Sequence, residues 1–156
     1  MERITFASLP AGLYQTMANV ETYIASCGLD HKFLALIKFR VSQINNCAYC
    51  LDMHYKDAIA EGETPLRMIS VSAWRETPYY TPQEQAALAF AELLTHMPQE
   101  QHSDGIHDEL NKYYSKAEIA NLTLVVCQIN SWNRLVRSFG SVPGNYKVRE
   151  KSGAHE

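Results

Sequence analysis

A chain of 156 residues that is 46% hydrophobic and 20% charged has the size and apolar content of one soluble domain with a sizeable core, so a single domain over residues 1–156 is expected. Lys+Arg 14 against Asp+Glu 17 leave a net charge of -3 and no basic run, which sets aside nucleic acid and a membrane surface as partners. No apolar run approaches the ~18 residues of a spanning helix, and the N-terminus lacks the charged-then-apolar layout of a signal peptide, so the expected location is the cytoplasm.

Residues 1–10 read as an extended arm ending at Pro10. Leu13, Met17, Val20 and Ile24 recur at spacings of three and four, which predicts an amphipathic helix over 11–26 with Gly28 as its terminator. Asp30 is placed to cap a second helix that runs through Phe33, Leu36, Ile37, Phe39 and Val41 to Ile44; it is apolar over most of its circumference and therefore central. A third helix is expected from Cys47, capped by Asn45 or Asn46, to about Ala60, with Gly62 as its stop. Thr64-Pro65 then opens a short helix ending near Trp74, and Thr81-Pro-Gln-Glu84 is a capping box opening a helix over 82–97. Residues 99–104 read as polar loop and 105–113 as a short helix. A second capping box, Ser115-Lys-Ala-Glu118, opens a long apolar helix to Arg137. The tail from Gly140, and above all residues 145–156, holds Pro143, Gly144, Gly153 and many charges and is expected to fray. No run alternates with period two, so the fold class is all-α, a bundle of about six to seven helices.

Two cysteines and a histidine stand at intervals a helix would bring together: Cys47, Cys50 and His54 are at i, i+3 and i+7. A thiol that starts near ~8.5 is lowered at a helix N-terminus or beside an imidazolium, and C-x-x-C pairs are known cases. The residues thus describe a dithiol that can ionise, attack and close to a disulfide, with a histidine one turn from Cys50 to move the proton. Two ordinary buried cysteines are the plainest alternative. Zinc is another, but it lacks a fourth ligand, since His31, His96, His102, His107 and His155 show no partner spacing. No metal and no cofactor are therefore expected. Covalent haem needs a histidine directly after the second cysteine, where Leu51 stands. Cys27 and Cys127 are isolated in apolar helical stretches, so one redox-active pair in a reducing compartment fits the four cysteines better than a secreted framework. Asp57 lies three residues beyond His54 and can hold its other nitrogen or be a solvated helix charge. Asn130 and Asn133 share a helix face and can reach backbone groups near the dithiol or a subunit boundary, or simply pack between helices.

The stretch from about 33 to 62, a buried helix leading into Ser42-Gln-Ile-Asn-Asn-Cys47-Ala-Tyr-Cys50-Leu-Asp-Met-His54, resembles the alkylhydroperoxidase D-like branch of the carboxymuconolactone decarboxylase superfamily. Ser72-Ala-Trp-Arg-Glu76, Thr81-Pro-Gln-Glu-Gln85, Leu122-Thr-Leu and Ile129-Asn-Ser-Trp-Asn-Arg134 extend the resemblance over roughly residues 12–144. It implies an all-α fold assembled as a homotrimer or homohexamer, and a thiol peroxidase that reduces hydroperoxides with an external dithiol reductant. It further implies that Cys50 attacks the peroxide, Cys47 resolves it as a disulfide and His54 relays the proton. The family's relay begins with a glutamate twelve residues before the first cysteine, and that position here is Ala35. This departure predicts weak turnover, or a redox-responsive binding or assembly protein whose disulfide does not cycle. Because the decarboxylase branch lacks the cysteine pair, lactone decarboxylation fits the residues less well.

Overall fold

The computed structural model describes residues 2–99 and 104–148. Among them are seven α-helices and no strand: α1 Leu13–Ser26, α2 His31–Ile44, α3 Ala48–Ala60, α4 Pro65–Ser70, α5 Pro82–His96, α6 Asp104–Leu110 and α7 Lys116–Phe139. Short 3-10 turns, Phe6–Ser8 and Val71–Glu76, precede α1 and follow α4, so the expected extended arm contains one helical turn. The helix expected over 65–74 divides: α4 ends at Ser70 and a 3-10 segment follows, kinked within at Ala73 (φ -120, ψ 32). The parts of the expected loop at 100–103 and tail at 149–156 lie outside the described residues.

Local chemistry sets most boundaries. Asp30 caps α2 by accepting the Phe33 N–H at 2.9 Å, and Thr64 does the same for α4 with Pro65 at its first position. Capping boxes at Thr81/Glu84 and Ser115/Glu118 open α5 and α7, each satisfying two end groups that would otherwise lack partners. Gly140 ends α7 in the left-handed region (φ 73), where a residue without Cβ meets no steric cost.

The central position expected for α2 follows from its sequence, since an all-round apolar helix has to be covered on several sides. It packs against α3, α5 and α7, and α7 in turn touches α1 and α5. Leu36, Ile37 and Val41 of α2 meet Ala87, Leu88 and Ala91 of α5 and Leu122 and Val125 of α7 in one core, all fully buried. Alanines on α5 let the backbones approach closely. Truncating a residue such as Ile37 at this centre costs about 2–5 kcal/mol. The same burial fixes α2 as the platform against which α3 presents its cysteines.

The segment after α7 differs from expectation. Instead of fraying, residues 141–148 fold back along α3: the Gly144 N–H donates to Asp52 Oδ2 at 3.0 Å, and Lys56 Nζ donates to the Gly144 and Tyr146 carbonyls at 3.2 and 3.0 Å. Composition suggested mobility, but charges spaced four apart on α3 capture the backbone that the glycines leave exposed.

Candidate active site

The corner between α2 and α3 carries the dithiol. Asn45 is the C-cap of α2, Asn46 takes the left-handed conformation (φ 51), and Cys47 itself is the N-cap of α3. The expected asparagine cap is thereby corrected: the asparagines make the reversal, and asparagine tolerates the left-handed region that Asn46 occupies. Cys47 has extended geometry with no side-chain capping bond, and its N–H returns to the Ser42 carbonyl at 3.0 Å. Cys50 lies in the first turn of α3. The two are joined as a disulfide with Cα atoms 5.4 Å apart, both 1% exposed, packed against Val136 and Trp132 of α7.

Asn130 and Asn133 reach this corner. Asn45 Nδ2 donates to both of their Oδ1 atoms at 2.9 Å. Asn133 Nδ2 donates to Ser42 Oγ at 3.1 Å and Asn130 Nδ2 to Thr95 Oγ1 at 3.1 Å. Arg137 Nη1 adds a bond to the Asn45 carbonyl at 2.8 Å. The pair on α7 thus clamps the turn that presents the cysteines and does not touch the sulfurs' open side. Such a network, with its members satisfied, rigidifies the segment it holds.

On the other side of the disulfide is a cavity of about 570 Å³, lined by Cys50, His54 and Asp57 but not by Cys47. Cys50 and His54 are at i, i+4 on α3, hence neighbours on one helix face. His54 is 6% exposed. Burial, reinforced by the positive charge of Lys38, pushes its pKa down to about 3, so the imidazole is neutral at ordinary pH. Its Nδ1 stands 3.8 Å from Asp57 Oδ2, a distance beyond a hydrogen bond and, with a neutral ring, not an ion pair. The tautomer protonated on Nδ1 turns its N–H towards this carboxylate and leaves Nε2 as the acceptor. Nε2 is buried and has no hydrogen-bond partner among the described residues. Buried polar atoms are normally satisfied, so an orphaned base nitrogen in a cavity wall beside a cysteine marks a place for chemistry. Burial raises the Asp57 pKa, opposed by a hydrogen bond from Tyr146 and by Lys38.

Sequence reasoning missed three participants in this cavity. Glu21 of α1 accepts Lys38 Nζ at 2.6 Å and the Trp132 indole N–H at 2.9 Å, tying α1, α2 and α7 together at the cavity wall. Tyr146 reaches in from the C-terminal segment, its hydroxyl donating to Asp57 Oδ1 at 2.7 Å. Lys38 is three residues beyond Ala35 on α2, so it shares that helix face, and Ala35 also lines the cavity. No short-range signal announces Glu21 or Tyr146, whose partners are remote in sequence. Among the described residues, no group of three or more His, Cys, Asp or Glu side chains gathers as a metal site. None of their helices is long and apolar enough to cross a membrane.

Residues 11–93 match the family of carboxymuconolactone decarboxylases. The chain belongs to that family. Within it the protein is alkylhydroperoxidase D-like: it is 34% identical, with a TM-score of 0.88, to a crystal structure from Agrobacterium tumefaciens described as a protein of unknown function and candidate antioxidant defence protein AhpD. That match covers 94% of this chain and 100% of the other. This carboxymuconolactone decarboxylase family member is also 34% identical over 140 residues to the uncharacterised protein YdfG of Bacillus subtilis (strain 168), spanning 90% of this chain and 95% of the relative. The debrominase Bmp8 shares the fold at TM-score 0.76 and 19% identity, over 85% of this chain and 72% of Bmp8. Family membership and an all-helical alkylhydroperoxidase D-like fold are thereby established, and they point to peroxidase-related or decarboxylase-type enzymes.

Proposed function

We propose that the protein is a thiol-dependent hydroperoxide reductase in which Cys50 is the nucleophile, Cys47 the resolving thiol and His54 the base. The observation that carries this reading is the asymmetry of the dithiol: Cys50 shares a cavity with the unpartnered Nε2 of His54, and Cys47 lies away from it. In the reduced protein, His54 Nε2 takes the Cys50 proton. The thiolate then attacks the terminal oxygen of ROOH, the O–O bond breaks, and the departing alkoxide collects the proton from the imidazolium to leave as ROH. The Cys50 sulfenic acid condenses with the Cys47 thiol, releasing water and forming the disulfide. An external dithiol supplies the two electrons and two protons that reopen it.

The reading includes a reducing compartment such as the cytoplasm and assembly as a homotrimer or homohexamer, which light scattering of the purified chain measures. Ala35 in the cavity wall, where a carboxylate would complete the family's relay, favours a second reading: the disulfide forms slowly without turnover and changes a subunit surface. One measurement separates the two. Catalytic amounts of protein are mixed with cumene hydroperoxide and excess dithiothreitol, and peroxide loss is followed. Many turnovers per chain support the reductase; a single stoichiometric oxidation that closes the Cys47–Cys50 bond and stops overturns it.

A further inference from the structure

The dithiol chemistry uses Cys50, Cys47 and His54 and gives no reason for the C-terminal segment to cross α3 and enter the cavity. That segment is fastened at three points. Gly144 N–H is held by Asp52, Lys56 holds two carbonyls, and the Tyr146 hydroxyl ends on Asp57 Oδ1. Tyr146 and Val148 then form part of the cavity wall with Cys50 and His54. The other oxygen of the same Asp57 carboxylate faces His54 Nδ1 at 3.8 Å. One carboxylate therefore connects the tail to the histidine, one oxygen to each.

We propose that Tyr146 is a positioning residue of the proton relay: its hydroxyl pins Asp57 through Oδ1 so that Oδ2 stays aimed at His54 Nδ1, and the segment 141–148 exists to deliver it. The inference rests on His54 acting as base for Cys50. The physical argument concerns a soft torsion. The carboxylate turns about an sp³–sp² bond with a broad, shallow profile, so an Asp57 held on neither oxygen would not keep one of them on the histidine. When His54 takes the Cys50 proton it becomes a buried cation, which a fixed carboxylate stabilises and a turned-away one does not. Burial raises the Asp57 pKa, and the phenol's hydrogen bond opposes that rise. The other ionisable side chains facing the cavity are Glu21 of α1, His31 and Lys38 of α2, and Glu61 at the end of α3. Lys38 disfavours a cationic His54 and is itself paired with Glu21, which leaves Asp57 as the carboxylate in contact with the ring. Tyr14 and Tyr49 also face the cavity.

The test reads thiol ionisation directly and does not depend on peroxide turnover. Reduced full-length wild type, Tyr146→Phe, Asp57→Asn and the double variant are alkylated with iodoacetamide between about pH 6 and 9, the range in which activated thiols titrate. Chymotryptic cleavage after Tyr49 puts Cys47 and Cys50 on different peptides, and the Cys50 peptide is quantified by mass spectrometry apart from those of Cys27, Cys47 and Cys127. Phenylalanine keeps the ring in the cavity wall and removes only the hydroxyl, and thermal melting confirms an intact fold. Tyr146→Phe is expected to slow Cys50 alkylation at pH 7 by roughly 3- to 10-fold and to move the profile upward, the scale of one hydrogen bond to a charged group partly replaced by water. Asp57→Asn should do at least as much, and adding Tyr146→Phe to it should change nothing further. A Tyr146→Phe profile superimposed on wild type, an undiminished effect in the Asp57→Asn background, or a silent Asp57→Asn would each overturn the proposal. Peroxide consumption measured in parallel keeps the two ideas separate. If the alkylation pattern holds while wild type fails to turn over, the reductase reading falls and the positioning role stands.

Discussion

Two polar clusters flank the disulfide and are wired in opposite ways. Towards α7, Asn45, Asn130, Asn133 and Ser42 exchange hydrogen bonds of 2.9–3.1 Å. Across the sulfurs, His54 is buried like Ser42 and Asn133, yet its Nε2 has no partner among the described residues and its Nδ1 has only a long approach to Asp57. A satisfied network is rigid and inert; a buried base with an unused lone pair is held ready at a cost in stability that packing elsewhere offsets. The comparison separates scaffold from chemistry within one corner of the bundle. It predicts that changes on the α7 side are felt in stability and changes on the cavity side in rate.

The largest expected effects lie on the cavity side. Cys50→Ser should abolish peroxide consumption, whereas Cys47→Ser should let a sulfenic or over-oxidised Cys50 accumulate, both read by intact mass after one dose of hydroperoxide. Accumulation in Cys50→Ser instead, at Cys47, would reverse the two roles. His54→Ala should lower the rate by roughly 10²–10⁴-fold at neutral pH, the usual worth of a positioned base. A His54→Ala protein as fast as wild type would mean that thiol ionisation needs no histidine.

Acid unfolding sharpens the same contrast. His54 titrates at about 3 in the folded chain and near ~6.5 when unfolded. Between those values the unfolded state binds the extra proton, so the stability associated with neutral His54 is complete above the upper value and lost as pH falls towards the lower one. The loss is on the order of 5 kcal/mol. Asp57, whose pKa is raised, contributes with the opposite sign and offsets part of it. Denaturant melts from neutral to acid pH should therefore show a slope that His54→Gln flattens; an unchanged slope would place the acid sensitivity elsewhere.

On the clamp side, Asn133→Ala removes bonds to Asn45 and Ser42 from a residue that is 1% exposed. It should cost about 1–3 kcal/mol, measured as a lower melting temperature. A variant of normal stability but collapsed activity would show that the network does more than hold the turn. The smallest effect is expected from Ala35→Glu, which introduces a carboxylate one turn before Lys38 in the cavity wall. Peroxide consumption at pH 7 should rise by less than about tenfold, since Asp57 already serves part of that role. A fall in rate with an intact fold would argue that Lys38, once drawn away from Glu21, matters more than the added acid.

What the sequence determined by itself was local. Asp30, Thr64, Thr81 and Ser115 announce helix starts because a cap and its target N–H are three residues apart, and the interval from Cys50 to His54 announces a shared face because α-helical geometry returns side chains every three to four residues. The tertiary structure decided everything that joins distant segments. It placed Cys47 rather than an asparagine at the start of α3, because Asn45 is engaged by two asparagines of α7 that lie 85 and 88 residues away. It brought Glu21 to Trp132 across 111 residues and Tyr146 to Asp57 across 89. Periodicity encodes which face of a helix is apolar, but not which neighbour that face will meet. The polar partners of this cavity are set by how α1, α7 and the C-terminal segment pack around α2 and α3, and packing is a property of surfaces in three dimensions that no spacing along the chain records.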